Sequence, residues 1–433
     1  MRVMIVILLL LLINHSPIQA DSITQCDFAS LQTAIETANN GVGGVITFDC
    51  EGTITFTQVL VIQQFIIIKG DGKIVIDGAG ASRLFRVAEG ASLTLDNITL
   101  QNGVSPSGGA VFNQGYLTIT NSTLNNNQAL SFGGAIYNEG DAVTILNSTL
   151  SNNSATSDGG AIYSDTFMTI DTSTFTNNTA QNGGAIYSNS ATLTIATSTF
   201  TNNEASLRGG GIYSSLVSNL LIDYGSFSEN TALEEGGAIF NEDTASIGGV
   251  QFHKNSVTKY GGAIYNSGKM FLNGGQLTEN SSLIYGGAIY NAYILWVNHG
   301  DFRDNVATGF GGGIINRGNL TLQDTAFYRN SASAGGAVFN EDILISNKTR
   351  FYDNVASDDG GGLYNVSETI VILNENRFED NIATNEGGGV YNFGIIYSQK
   401  TIYEDNTCAG NTILDMNGNT SERAEGCIGR VVE

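Results

Sequence analysis

Near-copies of Gly133-Gly134-Ala135-Ile136-Tyr137-Asn138 recur along this chain at an almost constant interval, and no other feature constrains the fold so tightly. Counted by their first glycine, twelve copies begin at Gly108, Gly133, Gly159, Gly183, Gly209, Gly236, Gly261, Gly286, Gly311, Gly335, Gly360 and Gly387, spaced 24 to 27 residues apart. A second motif keeps step with the first. Phe175-Thr176-Asn177-Asn178 follows one copy and Phe200-Thr201-Asn202-Asn203 the next, with equivalents ending at Asn127, Asn153, Asn230, Asn255, Asn280, Asn305, Asn330, Asn354, Asn381 and Asn406. Two motifs in phase define one structural unit, and a unit of about 25 residues repeated in tandem is a solenoid whose coils are stable only when stacked.

Leucine-rich repeats share this period but need a Leu-x-x-Leu-x-Leu-x-x-Asn run, which is absent. The unit instead contains alternating segments such as Leu117-Thr118-Ile119-Thr120, Met168-Thr169-Ile170-Asp171 and Leu193-Thr194-Ile195-Ala196, a period that belongs to strands. The expectation is an all-β, right-handed, single-stranded parallel β-helix. Each coil would hold three short strands, at the glycine motif, the Leu-Thr-Ile segment and the Phe-x-x-Asn motif. Equivalent residues of successive coils then sit about 4.8 Å apart, so every position becomes a ladder of like side chains. Inward ladders must be apolar, which assigns the Leu and Ile of Leu-Thr-Ile, the Phe of Phe-x-x-Asn and the Ile of Gly-Gly-Ala-Ile to the core. The terminal Asn suits a corner, because Asn tolerates left-handed backbone and its amide both donates to and accepts from a stacked copy.

If Ile136 points inward, Ala135 and Tyr137 point outward. Phe112, Tyr137, Tyr163, Tyr187, Tyr213, Phe240, Tyr265, Tyr290, Phe339, Tyr364 and Tyr391 then form a stripe broken only at Ile315. The rings either pack on one another or in the core, or form an apolar face that binds sugar rings or a protein. On the second reading Tyr137, Tyr163, Tyr187, Tyr213, Tyr265 and Tyr290 are the candidate binding residues.

The ends differ from the middle. Met1 to Ala20 has the pattern of a secretory signal peptide, with Arg2 ahead of an apolar run and Ala20 at a cleavage position. Residues 21–107 hold a cap and irregular first coils. Within them Phe28, Leu31, Ala34, Ile35 and Ala38 have helical spacing and predict a short capping helix over the open solenoid end. The regular repeat spans 108–407 and a C-terminal cap 408–433. The four cysteines stand only at the ends, predicting disulfides Cys26–Cys50 and Cys408–Cys427 in an exported protein. No later stretch reaches the length of a membrane span, so a secreted or cell-surface location is expected.

Gly-Gly-Ala-Ile paired with Phe-x-x-Asn resembles the repeats of the chlamydial polymorphic outer membrane proteins, over about residues 28–407. The opening segments Leu31 to Ile35, Ile76-Asp77-Gly78 and Leu93-Thr94-Leu95 look like the start of pectin-lyase-like β-helices. The resemblance implies a surface-exposed adhesin with a β-helical fold. The chain departs from that family in lacking an alternating C-terminal β-barrel pattern, so anchoring in an outer membrane is not implied.

A net charge of −23, with 18 Lys plus Arg against 41 Asp plus Glu, disfavours nucleic acid and anionic membranes as partners. Glycans or a cell-surface protein remain. Three isolated histidines offer no transition-metal site and no cofactor is expected, although acidic turns such as Glu234-Glu235, Glu341-Asp342 and Asp358-Asp359 could take calcium. An enzymatic alternative rests on Arg350, Asp353, Arg377 and Asp380, charges that fall at ladder spacing in the later coils. They read as surface ion pairs or as the site of a polysaccharide lyase or hydrolase. A threonine ladder, Thr118, Thr144, Thr169 and Thr194, suggests ice or crystal binding, but it lapses at Leu221, Gly248 and Leu272. N-glycosylation triplets occur at Asn97, Asn121, Asn147, Asn152, Asn177, Asn280, Asn319, Asn347, Asn365 and Asn419.

Overall fold

A computed structural model describes residues 22–189 and 191–408. The leader expected over 1–20, Cys427 and nearly all of the expected C-terminal cap lie outside the described residues. Within them the chain winds as a right-handed parallel solenoid in which equivalent residues of successive coils pair in register, Ile136 with Ile162 and Ile162 with Ile186. One coil runs through strands Ile136–Asn138, Ala142–Leu146, Thr149–Ser151 and Ser154–Ala155. Stacked, these make sheets of 14, 27 and 13 strands, the second and third strand of each coil sharing the widest.

The expected coil of three strands appears as three sheets, with the strand of the widest sheet unbroken at Ala191–Thr201, Ser218–Ser228 and Thr244–His253 and divided in two by a bend in most other coils. The short segment after each buried Asn pairs as a strand of its own, and two or three residues are too few to show alternation in sequence. Corners are also built differently from expectation. The left-handed residue is the one before the buried Asn: Asn126 (φ 53°), Asn152 (φ 54°), Asn177 (φ 55°) and their equivalents down to Asp405. A second left-handed column at Asn97, Asn121, Asn147, Thr172 and Thr197 bends the wide sheet. Each buried Asn instead closes the ladder. Asn203 donates from Nδ2 to the Phe175 carbonyl and to Asn230 Oδ1, and that same Oδ1 accepts the Asn203 main-chain N–H. A second interior ladder, through Asn241, Asn266, Asn291, Asn316 and Asn340, fixes the opposite corner.

Between the Asn ladders lies the apolar core. Leu117, Ile119, Ile136 and the Phe column are buried, each contributing roughly 1.5–3 kcal/mol. Phe175, Phe200, Phe227 and Phe252 stack at 4.8, 4.6 and 5.3 Å between centroids, and Leu277 interrupts the stack before Phe302 resumes it. Ala135, expected outside, is fully buried. Its N–H and that of Ile136 both bond to the Ala161 carbonyl, so this residue belongs to the turn and not to the alternation of the strand.

The N-terminal helix spans Phe28–Asn40, is capped by Asp27 accepting from Ser30 N at 2.8 Å, and buries Leu31, Ile35 and Ala38 against the first coils. The Cys26–Cys50 disulfide ties the segment before it to the first coil. Cys408 ends the last described strand, and its expected partner lies beyond.

Candidate functional site

The strand Ile136–Asn138 and its equivalents alternate, with Ile and Asn buried and the residue between them facing out. The aromatic stripe is therefore on the outer surface of the 14-stranded sheet. Parallel pairing sets Tyr137 against Tyr163 and Tyr163 against Tyr187. Their rings stack: centroids lie 5.2 Å apart from Tyr137 to Tyr163, 5.2 Å to Tyr187, 4.6 Å to Tyr213 and 4.7 Å on to Phe240. Faces so occupied by neighbouring rings are closed to a sugar ring, and the stripe presents ring edges and hydroxyls instead.

Two rows flank the stripe, the first polar and the second mixed, with Phe132 tilted against Tyr163 at 5.0 Å. On one side Gln114 donates to Glu139 at 2.9 Å and Asn189 to Asp165 at 2.7 Å. On the other stands the residue before each glycine pair. In later coils this second row is aromatic, Tyr260, Tyr285 and Phe310 stacking at 5.7 and 5.1 Å and leaning over the stripe. Sequence reasoning missed it, although the position immediately before each Gly-Gly carried the signal. Arg317 adds a lid there, donating to the Tyr290 hydroxyl at 2.9 Å and pairing with Glu341 at 2.5 Å. The six candidate tyrosines thus divide. Tyr213 and Tyr290 are buried, and Tyr265 lies at the edge of the second aromatic cluster. Tyr137, Tyr163 and Tyr187 remain half-exposed beside a cavity of about 600 Å³ lined by Glu89, Gln114, Glu139, Gly140, Asp141, Asp165, Thr166 and Phe167.

Burial pushes these phenols up. Tyr187 rises to about 12, through desolvation first and then the nearby carboxylates of Asp158, Glu242 and Asp165. Tyr163 is raised by desolvation and by Asp165, and Tyr137 by desolvation, Asp165 and Glu139. At neutral pH the stripe is a row of neutral hydroxyls against carboxylates. A phenol whose folded pKa lies above its unfolded value near 10 stabilises the fold fully below pH 10, and that contribution disappears as pH climbs through the folded value. Melting temperature should therefore fall between about pH 10 and pH 12. Tyr187→Phe should flatten this decline while leaving the neutral-pH melting point nearly unchanged, and an unaltered pH profile would refute the assignment.

The charges of the later coils fall in columns along the stack. Arg350 pairs in register with Arg377, like charge on like. Arg377 is held by Glu379 and Glu404, each at 2.6 Å. Asp353 and Asp380 stand exposed at left-handed bends, and Asp380 is raised by desolvation and then by Asp353, Glu379 and Asp405. Upstream in the same column Arg329 pairs with Asp304 at 2.8 Å. Several carboxylates of the acidic turns have cationic partners, Glu234 with Lys259 at 2.7 Å and Glu235 with Arg208 at 2.8 Å. Among the described residues no group of three or more His, Cys, Asp or Glu side chains is arranged to hold a metal ion.

No curated protein matches the chain. Among solved structures, that of PfbA, a surface adhesin of Streptococcus pneumoniae, is similar at 13% identity and a TM-score of 0.39, over 87% of this chain and 88% of that one. A family model described as the right-handed beta helix region matches residues 102–277. Sequence match and coil geometry agree on the architecture, and the chain is a right-handed parallel β-helix.

Proposed function

We propose that this is a secreted or cell-surface β-helix repeat protein that adheres to a glycan or to a protein partner along its tyrosine stripe and the groove beside it. Its repeats are of the type found in the polymorphic outer membrane proteins. One observation carries the reading: Tyr137, Tyr163 and Tyr187 stand in register along the coil, with the Tyr137 hydroxyl bonded to Glu139 and that of Tyr163 to Asp165, beside a groove lined by carboxylates. Such a row suits an extended, hydroxyl-rich or basic partner. The Cys26–Cys50 disulfide supports an exported chain, and no helix among the described residues is long and apolar enough to cross a membrane.

A polysaccharide lyase or hydrolase built on Arg350, Asp353, Arg377 and Asp380 is the second reading, favoured by the stacking of two arginines beside two aspartates. One experiment separates the two. The full chain is screened on a glycan array with calcium and with EDTA, and the same acidic polysaccharides are scored for cleavage. Binding without turnover is expected. The double variant Tyr163→Phe, Tyr187→Phe keeps the ring stack and removes two hydroxyls worth about 0.5–1.5 kcal/mol each, so affinity should fall roughly 5- to 150-fold. Turnover abolished by Arg350→Ala or Asp353→Ala would overturn the adhesion reading.

A further inference from the structure

The third strand of each coil, set between the two left-handed bends, gives the solenoid a narrow outer face that the repeat motifs do not announce. In its first column Thr99, Thr123, Thr149, Thr174 and Thr199 pair in register over five successive coils, and Ser226 follows. Two residues along each strand, Ser151, Thr176, Thr201 and Ser228 form a second column, preceded by Gln101 and Asn125. None of these side chains is charged, in a chain of net charge −23. All are partly exposed, and the residues between the columns, such as Leu150, Phe175 and Phe200, are buried.

The result is a two-dimensional lattice of hydroxyls and methyls with a repeat of about 4.8 Å along the axis and about 6.6–6.8 Å across it. Branching at Cβ restricts each threonine to few rotamers, and pairing on both sides holds the backbone, so the lattice is ordered before anything binds. Uncharged residues border it, Asn121 and Asn147 at one bend, Asn152 and Asn177 at the other, with Asn147 donating to Asn121 at 2.8 Å and Asn177 to Asn152 at 3.3 Å, until Tyr224 and Glu229 take these bends in the Ser226 coil. The neighbouring face also carries a threonine column, through Thr118, Thr144 and Thr169, but Tyr116 and Phe167 rise beside it, 48% and 61% exposed, and destroy its flatness.

We propose that the Thr99 to Ser226 face binds ice. Water in hexagonal ice repeats at nearly the axial spacing of the coils. A rigid, uncharged array that alternates methyl with hydroxyl can order a first water layer without the competing hydration shells that charged groups hold. The array ends where Gln251 and His253, then Gln276 and Thr278, replace it. The site is independent of the tyrosine stripe, which lies on another sheet.

The test uses the full chain made without N-glycans, because the triplets at Asn121, Asn147, Asn152 and Asn177 border the face. Two readouts are taken: incorporation into a slowly growing ice front, and thermal hysteresis. The wild type should enter the ice and depress its growth temperature. Thr149→Tyr and Thr174→Tyr, with melting points and circular dichroism unchanged, should reduce both signals to the level of an inert protein. Gln276→Tyr, in the same column beyond the array, should match the wild type. Exclusion of the wild type from ice overturns the proposal, as does undiminished activity in both threonine variants. Glycan binding sensitive to Thr174→Tyr without ice incorporation overturns it too, and assigns the face to carbohydrate.

Discussion

Asn255→Leu is expected to destabilise the solenoid more than most truncations of its apolar core. Asn255 makes four hydrogen bonds with no water in reach: its Oδ1 accepts from the Asn230 N–H and from Asn230 Nδ2, and its Nδ2 donates to the Phe227 carbonyl and to Asn280 Oδ1. Leucine fills a similar volume, so the variant isolates hydrogen bonding from packing. It leaves the Asn230 N–H without its acceptor and the Phe227 carbonyl without its side-chain donor, and takes one of two partners from Asn230 Nδ2 and from Asn280 Oδ1, which keep the Phe200 carbonyl and the Asn255 N–H, at about 1–3 kcal/mol per stranded group. A loss of roughly 3–6 kcal/mol follows if the coils adjust around some of them. Coupling in a solenoid is between nearest neighbours, so amide exchange should accelerate first in the coils containing Asn230 and Asn280. Denaturant unfolding together with exchange mapping checks this. A change below about 0.5 kcal/mol, the scale of a neutral surface substitution, would show that the ladder is ornamental.

Gly262→Ala should be worse. The second glycine of each pair has no left-handed backbone to justify it. What excludes a side chain is the next coil: a Cβ on Gly262 would meet the Gly287 carbonyl oxygen, with Ser281 N and O both at 2.7 Å. These are main-chain atoms of a paired coil, so relief requires coils to part and their ladders to break. The expected outcome exceeds 4–5 kcal/mol, appearing as insoluble expression or a melting point far below the wild type. Gly274→Ala is the control. It lies in a bend with φ +70° and open space around its Cβ position, so only the left-handed strain of about 1–2 kcal/mol applies. Equal effects at the two sites would show that backbone conformation, not coil contact, explains the glycine pairs.

Much of the candidate site was legible residue by residue, but not its accessibility. The register of Tyr137, Tyr163 and Tyr187 follows from counting, because parallel in-register stacking turns a sequence period directly into a column. That Tyr290 would be covered while Tyr137 stays half-exposed depends on Arg317, Tyr260 and Tyr285, and Tyr213 meets Arg208 and Glu242 instead. Tyr260 and Tyr285 keep the period of the glycine pairs, but how far a turn side chain reaches across a neighbouring strand is not set by its position in the repeat. Likewise the sequence left Arg350 and Arg377 open as surface ion pairs or as part of a catalytic site, and the stack places them in one column with Arg377 paired to Glu379 and Glu404.

The sequence by itself determined the coil: its length, the inward Leu, Ile and Phe ladders, the stacking of the Asn amides, the capping helix and the parallel winding. Each of these rests on local alternation or on repetition, and both survive in one dimension. Only the tertiary structure decided where the corners fall, that a bend divides the strand of the widest sheet in most coils, and which outer faces are flat. Those outcomes depend on which residue of a pair such as Asn126 and Asn127 takes the left-handed turn. Both candidates are the same amino acid, so only the ladder of buried amides in the neighbouring coils selects between them.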